Sequence, residues 1–319
     1  MKPPSSALAA PDVATRGLWL GLLGVLMFSA TLPMTRLAVG TPEHPQLDGV
    51  FVALGRAAVA GLLSLGLLAF SRAPWPARGD WAWIAAIAAG AVFGFPLFTS
   101  VALQHVDAVH ASVMVGVLPL ATAAAGAWVH RQRPPAAFWA FAAAGSALVV
   151  GYALLRSGAG FALHGADALL LAAMGWGALA YAAGGKLAGR LRAEHVICWA
   201  LVLSLPVTLL ATAWYWPAAP IGAAAWLGFA YVAVFSMWIG FFAWYRGLAL
   251  GGTVRVSQVQ LLQPFLSMLL ATVLLGESID ALTLGFGLAV LATVLFGRRF
   301  ASGPPSEGHD APNEPARFA

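Results

Sequence analysis

The sequence predicts an all-α integral membrane protein of ten transmembrane helices, and three observations carry that prediction. Of its 319 residues, 61% are hydrophobic and only 9% are charged, whereas an ordinary soluble domain has roughly a quarter charged residues. The mean hydropathy is +0.83. The apolar residues fall into ten runs, and the length of each is close to that of a helix that crosses the hydrocarbon core, about 20 residues. A chain with so few polar residues cannot cover a water-soluble surface of this size.

The first five runs form the first half of the chain. They cover residues 18–38, 49–70, 81–103, 108–129 and 137–155. An Ala-, Pro- and Ser-rich segment precedes them, and a signal peptide is the alternative explanation for the first run. The apolar core of a signal peptide holds only about 7 to 15 residues. Because the first run is longer and leads into further spans, we expect an uncleaved first helix.

The second five runs complete the set. They cover residues 168–187, 196–214, 223–245, 254–275 and 282–297. The segment that follows is Pro-rich and polar, so we expect a disordered C-terminal tail. The segments between the runs are short, which leaves no room for a soluble domain among the helices.

The basic residues predict the orientation, since Lys and Arg near helix ends are retained on the cytoplasmic side. Six groups of them fall on one side of the predicted helices. The groups are Lys2 with Arg16, Arg72 with Arg78, Arg131 with Arg133, Lys186 with Arg190 and Arg192, Arg246 with Arg255, and Arg298 with Arg299. We therefore expect a multi-pass protein of the inner (cytoplasmic) membrane with both termini in the cytoplasm. The same topology explains the net charge of +5 without a nucleic-acid partner.

An offset of 145 residues relates the two halves of the chain. It matches Ser112 with Ser257, Pro119 with Pro264, Thr122 with Ser267, and Phe141 with Phe286. Such matches can arise by chance in an apolar background, but the span count and the charge pattern agree with them. Five spans per half is an odd number, so the second copy is inverted in the membrane, as in many secondary transporters. We expect repeats at 18–155 and 156–300, with cytoplasmic tails at 1–17 and 301–319.

Short segments in both halves carry a resemblance to a known family. In the first half, residues 101–108 form a hairpin before a helix that contains the Leu-Pro-Leu sequence at 118–120. In the second half, Gln-Pro-Phe at 263–265 precedes a Leu-Gly-Glu sequence at 275–277, and residues 167–170 resemble the start of a second repeat. Over nearly its whole length the chain resembles the drug/metabolite transporter superfamily with paired EamA domains.

The resemblance implies a secondary transporter of small organic solutes, and many members of this superfamily export metabolites or drugs. Two positions depart from the family pattern. Residues 131–133 are Arg-Gln-Arg where the family often has Gly-Glu, and residues 28–30 are Phe-Ser-Ala where a Trp-Gly pair is common. A specific substrate therefore does not follow from the resemblance.

Arg56 is the strongest candidate for a substrate-binding residue. It lies seven residues into the second span, roughly 10 Å from the expected outer end. A charge at that depth usually faces a cavity or a partner, although a long Arg side chain can also reach the interface or pair structurally. Arg36, near the outer end of the first span, could face the same vestibule. We expect them to attract a carboxylate or phosphate.

Helix nine carries a polar stripe at helical spacing. Its members are Thr253, Ser257, Gln260, Pro264 and Ser267, with Gln263 close by. We expect Ser257, Gln260 and Gln263 to bind substrate, although such residues also join helices to one another in membranes. Pro119 and Pro264 each free a backbone carbonyl one turn earlier. They are candidates for gating, and kinks that serve only packing are the alternative.

Two further groups complete the candidate residues. The aromatic residues Trp176, Tyr181 and Trp238 could line an amphipathic pocket, although such side chains more often face lipid or pack in the core. His105, Asp107 and His110 lie together at an outer hairpin and could couple transport to protons. Solvated loop residues are the alternative, because no acid lies in the middle of a span.

Several function classes are excluded by motif. Gly185-Lys186 is followed by Leu187, so the chain has no Gly-rich phosphate loop for ATP-driven pumping, and neither HExxH nor GxSxG occurs. With a single cysteine, Cys198, no Cys-based metal site or internal disulfide can form. We expect no cofactor and no metal.

The sequence therefore predicts a transporter rather than an enzyme. It would move a small organic metabolite, such as an amino acid or a drug-like solute, by alternating access, and the expected direction is export. An intramembrane lipid-handling enzyme and a non-transporting scaffold are the alternatives. The expected partners are the solute and the lipid bilayer, and the chain would be a monomer or a homodimer.

Overall fold

The computed structural model describes residues 13–129, 135–156, 165–251 and 256–301. Within these residues the first half of the chain forms five helices. Helix α1 consists of Val13–Ser29 and Thr31–Val39, α2 is Gly49–Phe70, α3 is Arg78–Ala102, α4 is Ala108–Val129 and α5 is Ala136–Arg156.

The second half forms five more helices. Helix α6 is Gly165–Ala188, α7 is Ala193–Trp214, α8 is Ala223–Gly251, α9 consists of the 3-10 segment Ser257–Leu262 and the α-helix Gln263–Leu275, and α10 is Ala281–Ala301. Seven of the ten described helices are long and apolar enough to span a membrane, and α5, α9 and α10 contain shorter apolar segments. The ten-helix prediction is confirmed. The expected tails lie largely outside the described residues.

Two helices widen into π-helical turns at equivalent places. The segment in α3 is Ala88–Gly94 and the segment in α8 is Val232–Ile239. Adding the 145-residue offset to the first segment gives 233–239, which falls within the second. Such turns occur frequently at functional sites. The paired irregularities support two five-helix repeats.

Helices α4 and α9 are interrupted at equivalent places as well. In α4 a turn at 116–117 separates Ala108–Val115 from Leu118–Val129, and in α9 the regular helix restarts at Gln263. Leu118 and Gln263 are 145 residues apart. Each restart puts a proline, Pro119 or Pro264, in the first turn of the new segment, where its missing N–H removes no helical hydrogen bond.

The two ends of the bundle differ in the charge of their residues. We call the end with Asp48, Asp107, Asp167 and Glu277 the acidic end. The opposite end, which we call the basic end, holds Arg72, Arg78, Arg190, Arg192 and Arg246.

Glycines bring the helices of the core together. A Cβ atom added at Gly247 of α8 would lie 2.7 Å from the backbone nitrogen of Gly21 in α1. A Cβ at Gly90 of α3 would lie 2.3 Å from the carbonyl oxygen of Trp176 in α6, and Gly94 is equally close to the Trp176 ring. Gly90 and Gly94 therefore let α3 and α6 approach closely, as small residues do between membrane helices.

Candidate functional site

A cavity lies where helices of both repeats meet in the centre of the bundle. The described residues that line it come from α1, α2, α3, α6, α8 and α9. They are Phe28, Thr31, Arg56, Ala91, Phe95, Gly177, Ala180, Tyr181, Ser236, Met237, Phe241 and Gln263. The cavity has about 420 Å³ of empty volume, but the centre of a water molecule can reach only about 30 Å³ of it. That is room for about two waters, so a solute fits only after the helices move.

Arg56 supplies the charge in this cavity. It is the eighth residue of α2 and is 2% exposed. Its Nε and Nη1 atoms have no hydrogen-bond partner among the described residues. A buried guanidinium without a partner is costly. A guanidinium in this position has free donors with which it could bind an anion.

Three polar side chains of the cavity come from irregular points in their helices. Thr31 begins the second segment of α1, Ser236 lies in the π-helical turn of α8, and Gln263 follows the 3-10 segment of α9. The Thr31 and Ser236 hydroxyl oxygens are 2.8 Å apart and share a hydrogen bond. Gln263 Oε1 is buried and has no partner within the described part of the chain. The cavity therefore offers hydrogen bonds that a solute can complete.

Aromatic rings form the apolar wall of the cavity. The rings of Phe28 and Phe241 are 5.1 Å apart in an edge-to-face arrangement, and Phe28 lies 6.4 Å from Tyr181. Trp244 packs behind them, 5.7 Å from Tyr181. An apolar wall beside a few polar groups is typical of small-molecule sites.

A second, wider cavity opens at the acidic end. It has about 890 Å³ of empty volume, and Arg36, His44, Asp107 and Glu277 are among its lining residues. Arg36 is buried, donates a hydrogen bond to the carbonyl oxygen of Leu103 and lies 3.6 Å from Asp107 Oδ1.

Glu277 closes a helix end in this second cavity. Its carboxylate accepts hydrogen bonds from the backbone N–H groups of Ala108 at 3.0 Å and Val109 at 2.7 Å, at the start of α4. These are N–H groups that a helix N-terminus leaves unpaired. Burial nevertheless raises the pKa of Glu277 above its ordinary value, against the effect of these hydrogen bonds.

The profile of the EamA-like transporter family matches residues 15–155 and 164–298. The chain belongs to this family. It is similar to the uncharacterized transporter YdeK of Bacillus subtilis (strain 168), with 47% identity over 289 residues that cover 90% of this chain and 98% of YdeK. This EamA-like transporter is therefore a multi-pass membrane transporter of a small molecule and not an enzyme, which removes the lipid-handling enzyme as an alternative.

A solved structure supports the fold of this EamA-like transporter. The match is a crystal structure of a protein, and it covers 90% of this chain and 96% of the other. The TM-score is 0.57 at 20% sequence identity. At this level of identity the likeness bears on the fold alone.

The structure brings three of the seven predicted substrate-binding residues of this transporter into the central cavity. These are Arg56, Tyr181 and Gln263. Gln260 is buried in the same part of α9 but lies outside the cavity lining, and neither polar atom of its amide has a partner among the described residues.

The other predicted residues lie elsewhere. Trp176 is 38% exposed and packs against Gly94, outside the lining of the cavity. Trp238 is half-buried with its ring 5.1 Å from that of Phe242. Ser257 begins the 3-10 segment of α9, and its side chain lies outside what the structure describes.

The three residues considered for proton coupling occupy separate environments. His105 is exposed, and Asp107 lies near Arg36. His110 is buried, with its Nε2 atom 2.7 Å from Asp167 Oδ1 and its ring 5.1 Å from that of Tyr152. The hairpin therefore does not hold them as one cluster. Among the described residues there is no group of three His, Cys, Asp or Glu side chains that could hold a metal ion.

Sequence reasoning missed the contributions of Phe28, Thr31, Ser236 and Phe241. Two signals in the sequence pointed towards them. The segment 28–30 departs from the family pattern, and it adjoins the break in α1. Ser236 is a single polar residue within the apolar segment Val232–Ile239, and the 145-residue offset relates it to Ala91, which also lines the cavity.

Proposed function

We propose that this transporter exports a small organic solute that carries a carboxylate, the class to which amino acids belong, by alternating access. The observation that carries the proposal is the buried Arg56, whose Nε and Nη1 atoms have no partner among the described residues, in a cavity lined by both repeats. Carboxylates match the planar donors of a guanidinium and bind it in a bidentate manner. The solute would supply the partner that Arg56 lacks.

The repeat architecture supports alternating access. Transporters with inverted repeats hold their substrate at the interface of the two halves, near irregular helices. Here the breaks in α1 and α9 and the π-helical turn of α8 supply Thr31, Gln263 and Ser236 to the cavity. In this proposal the breaks before Pro119 and Pro264 let α4 and α9 bend as the cavity changes sides.

The positive-inside rule supports the proposed orientation. We place the basic end and both termini in the cytoplasm, and the acidic end outside the cytoplasmic membrane. The repeats would span 18–155 and 156–300, with tails at 1–17 and 301–319. The outward direction rests on the resemblance to exporters, and whether the chain is a monomer or a homodimer stays a prediction.

Solute efflux from proteoliposomes tests the proposal. Purified protein would be reconstituted with a labelled panel of carboxylates, amino acids and amines, in wild type, Arg56→Gln, Arg56→Lys and the exposed control Arg78→Gln. We expect Arg56→Gln to lose efflux by about a hundredfold, as for a buried charge partner. Arg56→Lys should retain part of it, and Arg78→Gln should match wild type. Equal efflux in Arg56→Gln and wild type would contradict the proposal.

A proton gradient tests the coupling role proposed for His105, Asp107 and His110. The same assay would be run with and without a pH difference across the membrane, in wild type, His110→Gln and His105→Gln. If His110 carries the proton, gradient dependence disappears in His110→Gln and persists in His105→Gln. Efflux that never responds to the gradient would point to facilitated diffusion or exchange.

A further inference from the structure

The central cavity carries one positive charge, and that charge sets which solutes it can hold. Arg56 is the charged group, and the other described lining residues are neutral. Their hydrogen-bonding groups, Thr31, Tyr181, Ser236 and Gln263, contribute no formal charge to balance it. The wall is otherwise apolar, with Phe28, Phe95 and Phe241 among its members. A net charge in such surroundings is poorly screened.

The charge of the loaded cavity follows from the charge of the solute. A monoanion neutralises Arg56, a zwitterion leaves the cavity with one positive charge, and a cation raises it to two. Since an uncompensated buried charge is strongly unfavourable, the occluded state should form most readily when the cavity is neutral. The ammonium group of an amino acid would also meet the Arg56 guanidinium as a like charge within a small volume.

We propose that the cavity selects organic acids of net charge −1, such as 2-oxo and 2-hydroxy acids with a short apolar skeleton, over amino acids and amines of the same skeleton. This inference rests on the proposed function and narrows its solute class. Arg56 binds the carboxylate, the Gln263 amide and the Thr31–Ser236 hydroxyl pair face the 2-oxo or 2-hydroxy group, and the aromatic wall contacts the hydrocarbon part. An ammonium group in place of the 2-oxo group finds no carboxylate among the described lining residues.

A matched set of solutes separates charge from shape. Proteoliposomes would be loaded with 3-methyl-2-oxobutanoate, 2-hydroxy-3-methylbutanoate, valine or 2-methylpropylamine, and with the same series built on the phenylalanine skeleton. We expect the acids to leave at least about tenfold faster than the amino acids, because a like charge in a poorly screened site weakens binding by more than that. The amines should leave no faster than they leave protein-free liposomes.

The outcomes distinguish this inference from the proposed function. If valine or phenylalanine leaves as fast as its oxo acid, and Arg56→Gln abolishes that efflux, the proposed function stands and the charge selection is wrong. If no member of either series moves while another carboxylate of the labelled panel leaves through Arg56, this inference is wrong and the proposed function stands. If no carboxylate moves at all, both are overturned.

A second carboxylate placed in the cavity should reverse the selection. Gln263→Glu introduces one at nearly constant shape, whereas Gln104→Glu makes the same change in the loop between α3 and α4. We expect Gln263→Glu to lose efflux of the oxo acids and to gain efflux of valine relative to them by at least about tenfold. Gln104→Glu should keep the wild-type order.

Ser236→Asp introduces the same charge from another helix, and it replaces Gln263→Glu in this test if that variant does not fold. An unchanged order of solutes in whichever of the two variants folds would overturn the inference.

Discussion

At the acidic end Arg36 and Glu277 join helices through charged side chains, and Gly228 of α8 lies against the backbone of α1. Towards the basic end α1 and α8 pack through a row of glycines. Arg36 and Glu277 link α1 and the α9–α10 loop to the start of α4 and the loop before it. At the basic end, a Cβ atom added at Gly17 would lie 2.4 Å from the backbone nitrogen of Gly251, and the backbones of Gly21 and Gly247 are similarly close.

The difference bears on which end opens more easily. The contacts of Arg36 and Glu277 border a cavity of about 890 Å³. Separating them exchanges protein hydrogen bonds for bonds to water, which has a modest net cost. Separating α1 from α8 breaks the close packing of Gly17 and Gly21 against Gly251 and Gly247, which we call the glycine seam. Lipid or water replaces these contacts with looser packing. We infer that the acidic end is the more easily opened gate.

The largest expected effect comes from filling the glycine seam. In Gly247→Leu the side chain would meet the backbone of Gly21 and Gly17. We expect the free energy of unfolding to fall by about 3 kcal/mol or more, because the backbone cannot shift without disturbing the helix. The melting temperature in detergent measures it. Gly175→Leu is the matched control, since a Cβ there meets no described atom within 4 Å. A stable Gly247→Leu protein would show that the seam is not close-packed.

Removing the Arg36 guanidinium should lower the free energy of unfolding by about 2 kcal/mol, the contribution of a hydrogen bond from a charged donor. Arg36→Gln loses the bond to Leu103 and the charge near Asp107. Asp107→Asn is the comparison variant, because Asp107 is half-exposed and its ion pair is long at 3.6 Å. We expect that change to cost less than about 0.5 kcal/mol. Equal melting temperatures for the two variants would contradict the assignment.

Loss of the Glu277 cap should loosen the start of α4. Glu277→Ala removes the acceptor for the N–H groups of Ala108 and Val109, with a cost of about 1 kcal/mol, as for other N-terminal caps. Hydrogen exchange at these two amides should accelerate about fivefold. Glu43→Ala, an exposed carboxylate in the α1–α2 loop, should leave both amides unchanged. Exchange that is equally slow in Glu277→Ala would rule out the cap.

The smallest expected effect is the pH dependence of the closing of the acidic end. Burial raises the pKa of Glu277 while its carboxylate caps α4, which we call the closed state. Moving the carboxylate away from α4 into water would return its pKa to the ordinary value. The closed state then binds the proton more tightly, so lowering the pH through the interval between the two pKa values favours closure. Protection of the Ala108 and Val109 amides should rise as the pH falls.

Neighbouring groups define the control for this pH effect. Asp107 and Arg36 act on the Glu277 carboxylate with opposite signs, and His44 lines the same cavity. Glu277→Gln keeps these neighbours and removes the titration. A pH dependence that persists unchanged in Glu277→Gln would assign it to Asp107 or His44 instead.

The sequence was sufficient for the ten spans, because a helix in lipid must satisfy its own backbone hydrogen bonds over about 20 apolar residues. It also singled out Arg56, which lines the central cavity, since an intramembrane charge stands out against an apolar background. The predicted span at 81–103 agrees closely with α3. The repeat offset was visible through Pro119 and Pro264 because proline constrains its position in a helix.

The sequence could not reveal which helix face each side chain occupies. Trp176 and Tyr181 share one helix, yet Tyr181 lines the cavity and Trp176 is partly exposed. In an apolar span the lipid face and the packed face have the same composition. Ser236 stands out as a polar residue in an apolar segment, but the sequence does not show that this segment forms a π-helical turn, in which Ser236 lines the cavity.

Solute binding to purified protein tests the central claim, that Arg56 in the shared cavity is the anion-binding group. Titration calorimetry with 3-methyl-2-oxobutanoate would compare wild type, Arg56→Lys and Arg56→Gln. We predict binding that weakens about tenfold in Arg56→Lys, which keeps the charge but loses the planar donors, and about a hundredfold in Arg56→Gln. Equal affinities in the three proteins would contradict the claim, whatever the variants do to transport.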